Sequence, residues 1–563
     1  MSTLEPENPE SSQLSTGISA SAAPPSGASG HKSWFRLRSA GRSRHWIKRT
    51  WLRRLTLVLT SLVVVGATLS LTEYAYFQHE FNKAHKINVQ HLVPPVTTGL
   101  HANAQTILLI GSTSRCALNG KQSQAFGSCS GPATATTGIT GVNSDVMLLL
   151  HTDPATGKVT VLSLPRDLVL YNVRDYNFHK LDAGLSSGPS QLVAAIEQDL
   201  GIPINHFVEL NFDTFQNVVN TLGGVKVYFP DRVYDKLSGL NEQPGCQLLN
   251  GFQALSLVRA RHMYYWQSGA QLYDGTGDLG RIIRTHEFLR LLASQVAAQG
   301  LGNIITDNQI IGEVFPNLTI DSTLTSSNMS NLILNYHGVN IDKTPQATLP
   351  NIEDHTNYIY EGYNYGSVVL PSYPQDQQAI NQFLDYKSNP AADAVKPSSV
   401  SVRVVDGYND PAVAASTATK LKALGYNVAG SGTWPSVGPV SETVIEYKPG
   451  HLVDAESLIS HFSGIVSMTQ APTTSVAGSD VPAANGYDVT VITGSNFSIT
   501  AAQQSGSGGS HHSSGHHGSG TPGSGTSGTT PVSGAPSSSV SLLGPVSAAS
   551  DPKLAYDPRA CHT

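Results

Sequence analysis

Between Leu55 and Thr72 the chain runs 18 residues without a charged side chain. As an α-helix such a run rises about 27 Å, close to the apolar thickness of a bilayer. On its N-terminal side, from His31 to Arg54, stand nine Lys or Arg residues and no acid. That flank predicts a cytoplasmic N-terminus, with everything after Thr72 outside the cell membrane. A cleaved signal peptide would have a shorter apolar core, roughly 7–15 residues, followed by small residues. Tyr74-Ala75-Tyr76-Phe77 follows instead, an aromatic group suited to the outer interface. A single-pass, uncleaved anchor over residues 55–72 is expected, preceded by a disordered cytoplasmic segment over residues 1–54.

Setting that basic flank aside, the rest of the 563-residue chain holds 25 basic and 40 acidic residues. A surface of that sign does not neutralise a polyphosphate backbone, which argues against nucleic acid as a partner. All four cysteines, Cys116, Cys129, Cys246 and Cys561, lie beyond the anchor, where disulfides persist. Cys116 and Cys129 could close a small loop, and Cys246 could take either of them. No Cys-x-x-Cys pair occurs, so zinc and thioredoxin-type chemistry have no support.

Residues 104–384 read as the main globular region. Thr106 to Ile110, Val146 to Leu150 and Val159 to Leu164 are short apolar runs. The last two are separated by the turn cluster Thr152-Asp153-Pro154-Ala155-Thr156-Gly157, which predicts a hairpin. Ser190 to Leu200 has helical spacing and a Gly201 stop. Asp213-Thr214-Phe215-Gln216 reads as a capping box opening a helix to Leu222. Arg281 to Gln299 is amphipathic. Alternating strands and helices imply an α/β layered fold. A linker over residues 385–400 leads to a smaller α/β domain over residues 401–497, where Asp410-Pro411 opens a helix. Residues 498–563 form a Ser/Gly/His-rich tail, expected to be disordered.

Charged residues make up only 13% of the chain, so arginines beside apolar runs need a reason. Three segments carry them: Leu164-Pro165-Arg166-Asp167, Val258-Arg259-Ala260-Arg261 and Gly280-Arg281-Ile282-Ile283-Arg284. Guanidinium forks never deprotonate and match phosphate oxygens. With Asp145 as a candidate metal ligand, the set reads as a pyrophosphate site. For any one arginine, pairing with a nearby carboxylate such as Asp167 is an equal explanation.

The order of motifs settles the choice. Ile110-Gly111-Ser112, Asn143-Ser144-Asp145, Leu164-Pro165-Arg166-Asp167, His179-Lys180-Leu181-Asp182, Leu222-Gly223-Gly224-Val225, Leu249-Asn250-Gly251 and Arg259-Ala260-Arg261 together resemble the LytR-CpsA-Psr family. Residues 401–497 resemble the LytR C-terminal domain, a layout typical of actinobacteria. The resemblance implies an α-β-α layered domain with a mixed central sheet. It implies a phosphotransferase that moves a glycopolymer from a polyprenyl-pyrophosphate carrier in the membrane onto peptidoglycan. On that reading Arg166, Arg259 and Arg261 grip phosphate oxygens and Arg281 supports them. Arg115, Lys180 and Arg284 also bind substrate, Asp278 orients the set, and Asp145 holds Mg²⁺. Leu210, Phe212, Phe215 and Val219 would line a tunnel for the lipid, although ordinary core is the commoner role for each. The chain departs from the family pattern at Thr113, where an aspartate ligand is usual, at Asn143, often arginine, and at Thr285-His286 after Arg284. Those departures keep two alternatives open: a carrier-binding scaffold without turnover, and a lipid-carrier pyrophosphatase. A transcription attenuator has little support, since no helix-turn-helix pattern occurs.

Overall fold

The computed structural model describes residues 44–113, 143–174, 176–275, 277–299, 304–336, 344–349, 354–360, 363–386, 390–434, 442–476, 481–499 and 560–561. Arg115, Cys116, Cys129, residues 1–43 and most of the Ser/Gly/His-rich tail lie outside this set. Two units result, residues 1–72 and 73–563. In the first, helix α1 (Arg44–Phe81) is, from Trp51 onward, long and apolar enough to cross a membrane. Over residues 51–72 its side chains point outward on all sides, with Leu57 68% and Val63 70% exposed. So much aliphatic surface is costly in water and at home in lipid.

The second unit is built on a seven-stranded mixed sheet. Its strands are β1 (His85–Ile87), β2 (Gln105–Ser112), β3 (Ser144–Asp153), β4 (Lys158–Leu164), β7 (His206–Leu210), β14 (Thr319–Asp321) and β15 (Gln346–Thr348), in the order β1-β14-β7-β2-β3-β4-β15. The turn cluster at Asp153 does join an antiparallel hairpin, pairing Leu150 with Val161. Alternation along β2 sends Leu108 and Ile110 to one face and Ile107 to the other, as the two-residue period of a strand requires. The first face packs on α2 (Pro189–Leu200), through Leu192, Val193 and Ile196, and on Phe383 of α8 (Gln375–Phe383). Gly201 closes α2 in the left-handed conformation (φ 68°), which glycine adopts without strain. The second face packs on Phe77, Phe81 and Phe315, and on α6 (Ile304–Val314) and α7 (Ser326–Tyr336) through Ile311 and Leu332. Helices cover both faces, as the α-β-α expectation requires.

Beside this sheet sits a second core. It joins α3 (Phe212–Thr221), α4 (Gly251–Arg259) and α5 (Gly277–Gln299) to β8 (Val225–Phe229) and β11 (Gly245–Leu249). Phe212 and Val219 are buried within it and Phe215 packs against it, whereas Leu210 packs on the opposite core. These four residues therefore have core roles. Helix α3 is capped by Asn211, whose side chain accepts from the Thr214 amide. The Asp213 box is thereby corrected, because Asn211 meets the first free amides two residues earlier.

A smaller lobe follows. Its five strands, β18 (Ser401–Asp406), β19 (Asn427–Thr433), β20 (Thr443–Tyr447), β22 (Val466–Gln470) and β23 (Val489–Thr493), run in the order β19-β18-β23-β20-β22. Asp410 caps α9 (Pro411–Ala423), accepting from the amides of Ala412 and Val413. This lobe packs on β5 (Val169–Arg174) and β6 (Asn177–Lys180), and on the hairpin of β16 (Asp354–Tyr360) and β17 (Tyr363–Val369). Cys246, on β11, is joined to Cys561. That pairing lies outside the alternatives the sequence left open for Cys246, which named Cys116 and Cys129.

Candidate active site

Three adjacent strands of the main sheet deliver residues to one edge. β2 ends just before Thr113, β3 begins at Ser144 beside Asp145, and β4 ends at Leu164, two residues before Arg166. The antiparallel β2–β3–β4 pairing makes this automatic, since two strand ends and one strand start fall at the same pole. Across from them, α4 ends in Arg259. The box Asn250/Gln253 fixes the start of α4, and a Cβ on Gly251 would lie 2.4 Å from the Gln216 carbonyl oxygen, so only glycine permits this close packing on α3. Beyond α4, Asp235 accepts from the amides of Arg261 and His262, both at 2.9 Å. That carboxylate pins the loop carrying Arg261. Thr113, Asn143, Asp145, Arg166, Arg259, Arg261 and Arg281 together line a cavity of about 170 Å³.

Arg166 is the hub. Its guanidinium donates to Asp145 at 2.5 Å, and reaches Asp182 at 3.1 Å and Asp167 at 3.6 Å. Lys180 holds the other oxygen of Asp167 at 2.9 Å, and Arg261 stands 4.0 Å from the same carboxylate. Arg281 donates to the backbone oxygen of Asp145 at 2.7 Å. Arg259 lies over the Phe212 ring, 4.7 Å from its centre, a cation–π contact that holds it extended. Five cations (Arg166, Lys180, Arg259, Arg261, Arg281) thus meet three carboxylates (Asp145, Asp167, Asp182). Four guanidiniums converging on one cavity suit an anion with several oxygens. Burial raises the Asp182 carboxyl to about 6, against the opposing pull of Arg166 and with further help from Asp167.

Not every expected residue reaches the cavity. Arg284 was expected to bind substrate, but its side chain is fully buried. It pairs with Asp274 at 2.8 Å and donates to the Ala260 carbonyl at 2.8 Å. One helical turn beyond Arg281 it faces the core and fastens the Arg261 loop. Lys180 does not line the cavity and acts on it through Asp167. Asp278 falls in the first turn of α5, its side chain outside the described residues, as is that of His286. The departures also have physical roles. Thr113 Oγ1 accepts from the Asn143 amide at 3.0 Å and closes the strand end. Thr285 donates to the carbonyls of Arg281 and Val258, stapling α5 to α4. Asp182, missed as a site residue, was visible only as the unassigned acid of the Lys180-Leu181-Asp182 motif.

Among the described residues, Asp145 is the only carboxylate lining the cavity. Mg²⁺ is commonly held by one or two carboxylates, with water and substrate phosphate completing six oxygens. A single carboxylate facing an anion cavity meets that minimum. Among the described residues, the one tight group of possible metal ligands is elsewhere, at His101, Asp153 and Asp385. There Lys158 already neutralises Asp385 at 2.6 Å.

Four arginines thus line one cavity at the pole of an α-β-α sheet. The chain belongs to the LytR_cpsA_psr family, whose model matches residues 67–378. Residues 399–497 match the model described as LytR cell envelope-related transcriptional attenuator. The chain is 32% identical over 208 residues to "Probable cell wall biosynthesis protein LcpB" of Corynebacterium glutamicum, covering 37% of this chain and 45% of that protein. It is 24% identical over 328 residues to "Cell wall biosynthesis protein LcpA" of the same organism, covering 52% and 60%. It is 29% identical over 191 residues to the Bacillus subtilis "Polyisoprenyl-teichoic acid--peptidoglycan teichoic acid transferase TagV", covering 32% and 46%. The chain thus spans about half the length of these relatives. Among solved structures, "LytR-Csp2A-Psr enzyme from Actinomyces oris" is similar at 22% identity and a TM-score of 0.41, over 53% of this chain and 96% of that one.

Proposed function

We propose that this protein transfers a glycopolymer from a polyprenyl-pyrophosphate carrier to peptidoglycan, working outside the cell membrane with its basic N-terminal flank inside. The observation that carries this reading is the convergence of four guanidiniums and one carboxylate on a single cavity. A diphosphate is the ligand class that such an array recognises. Relatives named as cell wall biosynthesis proteins and as a teichoic acid transferase support the same class.

In the proposed reaction Arg166, Arg259 and Arg261 hold the non-bridging oxygens of the diphosphate, while Arg281 keeps Asp145 in place through its backbone oxygen. A hydroxyl of the acceptor glycan attacks the phosphorus nearest the polymer. A P–O bond to the acceptor forms, the bridging P–O bond breaks, and polyprenyl monophosphate leaves. The hydroxyl proton is released to water. Positioning and charge stabilisation do most of the work in such transfers. Asp145 would hold Mg²⁺, which when bound would add positive charge at the leaving phosphate. The threonine at position 113, where the family usually carries an aspartate, gives a scaffold that binds the carrier without turnover a specific basis.

One assay separates the readings. The full chain in detergent is incubated with a synthetic polyprenyl-pyrophosphoryl sugar, peptidoglycan fragments and Mg²⁺, with and without EDTA. Coupled product lost on EDTA treatment is expected. Bound lipid without product would replace transfer with the scaffold, and released phosphate would replace it with hydrolysis.

A further inference from the structure

Next to the pocket, four short strands form a sheet of their own: β9 (Val233–Asp235), β10 (Leu240–Glu242), β12 (Tyr264–Gln267) and β13 (Ala270–Tyr273), in the order β10-β9-β12-β13. Alternation separates its two faces. Val233 is fully buried in the core behind it, and Tyr265 packs on that core. The register sets Tyr234, Tyr264 and Tyr273 side by side on three neighbouring strands of the other face. Two residues further along, the same face carries Arg232 and Trp266. The Arg232 guanidinium lies 4.6 Å from the Trp266 ring centre and donates to Asn241 Oδ1 at 3.1 Å. Tyr264 and Tyr273 are 37% and 51% exposed, with ring centres 5.2 Å apart. The outward positions of these strands hold no carboxylate.

Aromatic rings left open to water in a row, edged by amide and guanidinium donors, suit a ligand with the same duality. A pyranose ring has it: one face of C–H groups, and a rim of hydroxyls and acetamido groups. Resting on the transfer reading above, we propose that this face docks the neutral, N-acetylated glycan strand of the acceptor. Its single cation is already stacked and hydrogen-bonded, so it lacks the charge to hold a polyanionic donor. Continuity with the pocket adds direction. Asp235, at the end of β9, holds the amide of Arg261, and the three steps of chain from Arg261 to Tyr264 span at most about 10 Å. A strand lying on the tyrosines would present its hydroxyls at the mouth of the arginine cavity.

The test measures binding, not turnover, using full chain in detergent with purified peptidoglycan and soluble chito-oligosaccharide, and polyglycerol phosphate as the polyanion arm. Tyr264→Ala/Tyr273→Ala should weaken glycan binding about tenfold or more, with an unchanged melting temperature because both side chains are exposed. Tyr264→Phe/Tyr273→Phe, which keeps the rings, should retain binding, and Arg166→Ala should bind glycan like the parent. Full binding by the alanine pair, no glycan binding by the parent, or preference for polyglycerol phosphate would each overturn the platform. Glycan binding that depends on the tyrosines in a protein without transfer activity would leave the platform standing and remove the transfer reading. Transfer unaffected by the alanine pair would do the reverse.

Discussion

The arginine pocket and the seam between the two α/β lobes both bury carboxylates, but they neutralise them in opposite ways. In the pocket Asp145, Asp167 and Asp182 each face a cation at 2.5–3.1 Å. In the seam Asp199 accepts from the Asn172 amide at 2.9 Å and no cation is among the causes of its shift, so burial pushes its carboxyl up to about 8. Glu446, on β20, is raised to about 8 by burial, against an opposing pull from Arg403. Around them Tyr171, Val405, Val444 and Ile492 make a dry contact, and the Tyr447 hydroxyl donates to the Gln198 carbonyl at 2.7 Å. A paired charge can be exchanged for a ligand's charge. A protonated acid can only be held or lost. The pocket is thus built for exchange and the seam for cohesion.

The most severe test of charge pairing is the Arg284–Asp274 pair, which shares the pocket's logic with no water left. Arg284→Met should destabilise by about 3–5 kcal/mol, because the fully buried Asp274 carboxylate loses its guanidinium. Arg284→Met/Asp274→Leu should recover most of that in urea unfolding. If the single and double variants are equally unstable, the pair is not what Arg284 contributes. Next comes Arg166→Ala. Losing this hub should slow transfer about 10²–10³-fold, the range seen on removing one preorganised charge donor, while the fold persists. Single-turnover rates within twofold of the parent would mean that the hub is structural.

Local patterns were legible in the sequence: the β3–β4 hairpin, the Gly201 stop, the Asp410-Pro411 cap and the Arg166 and Arg259 segments each depend on neighbours a few residues apart. What was not legible depends on distant ones. Arg281 and Arg284 look alike on paper, and only the placement of Asp274 shows which of them is shut away from the cavity. Asn211 outcompetes Asp213 as a cap because of where β7 releases the chain. The tyrosine face needs the register of β9 against β12, which is fixed by the core beneath and not by spacing. Cys246 finds Cys561 across 315 residues, a distance over which composition carries no signal.

The smallest expected effect separates seam from pocket by pH. Asp199 and Glu446 keep their protons to about pH 8 in the folded protein, whereas an unfolded carboxyl releases its proton near pH 4. The folded state therefore binds more protons across that window, so stability falls as pH rises through it and levels off above about 8. Asp182 acts in the same direction only up to about 6. His151, lowered by burial to about 4, acts oppositely up to its ordinary value near 6.5. Above about pH 6.5 both are silent, while Glu197, raised by burial to about 7, and Asp376, raised well above the carboxylate range by burial, act in the same direction as the seam. There each differing proton contributes a slope of at most about 1.4 kcal/mol per pH unit. Asp199→Asn should make that slope shallower by its own share, at most about 1.4 kcal/mol per pH unit, with the share of Glu446 remaining, and should leave glycopolymer transfer at fixed pH unchanged, as measured by urea midpoints across this range. An equally steep decline in the Asn variant would place the sensitive proton elsewhere and end the contrast between the two regions.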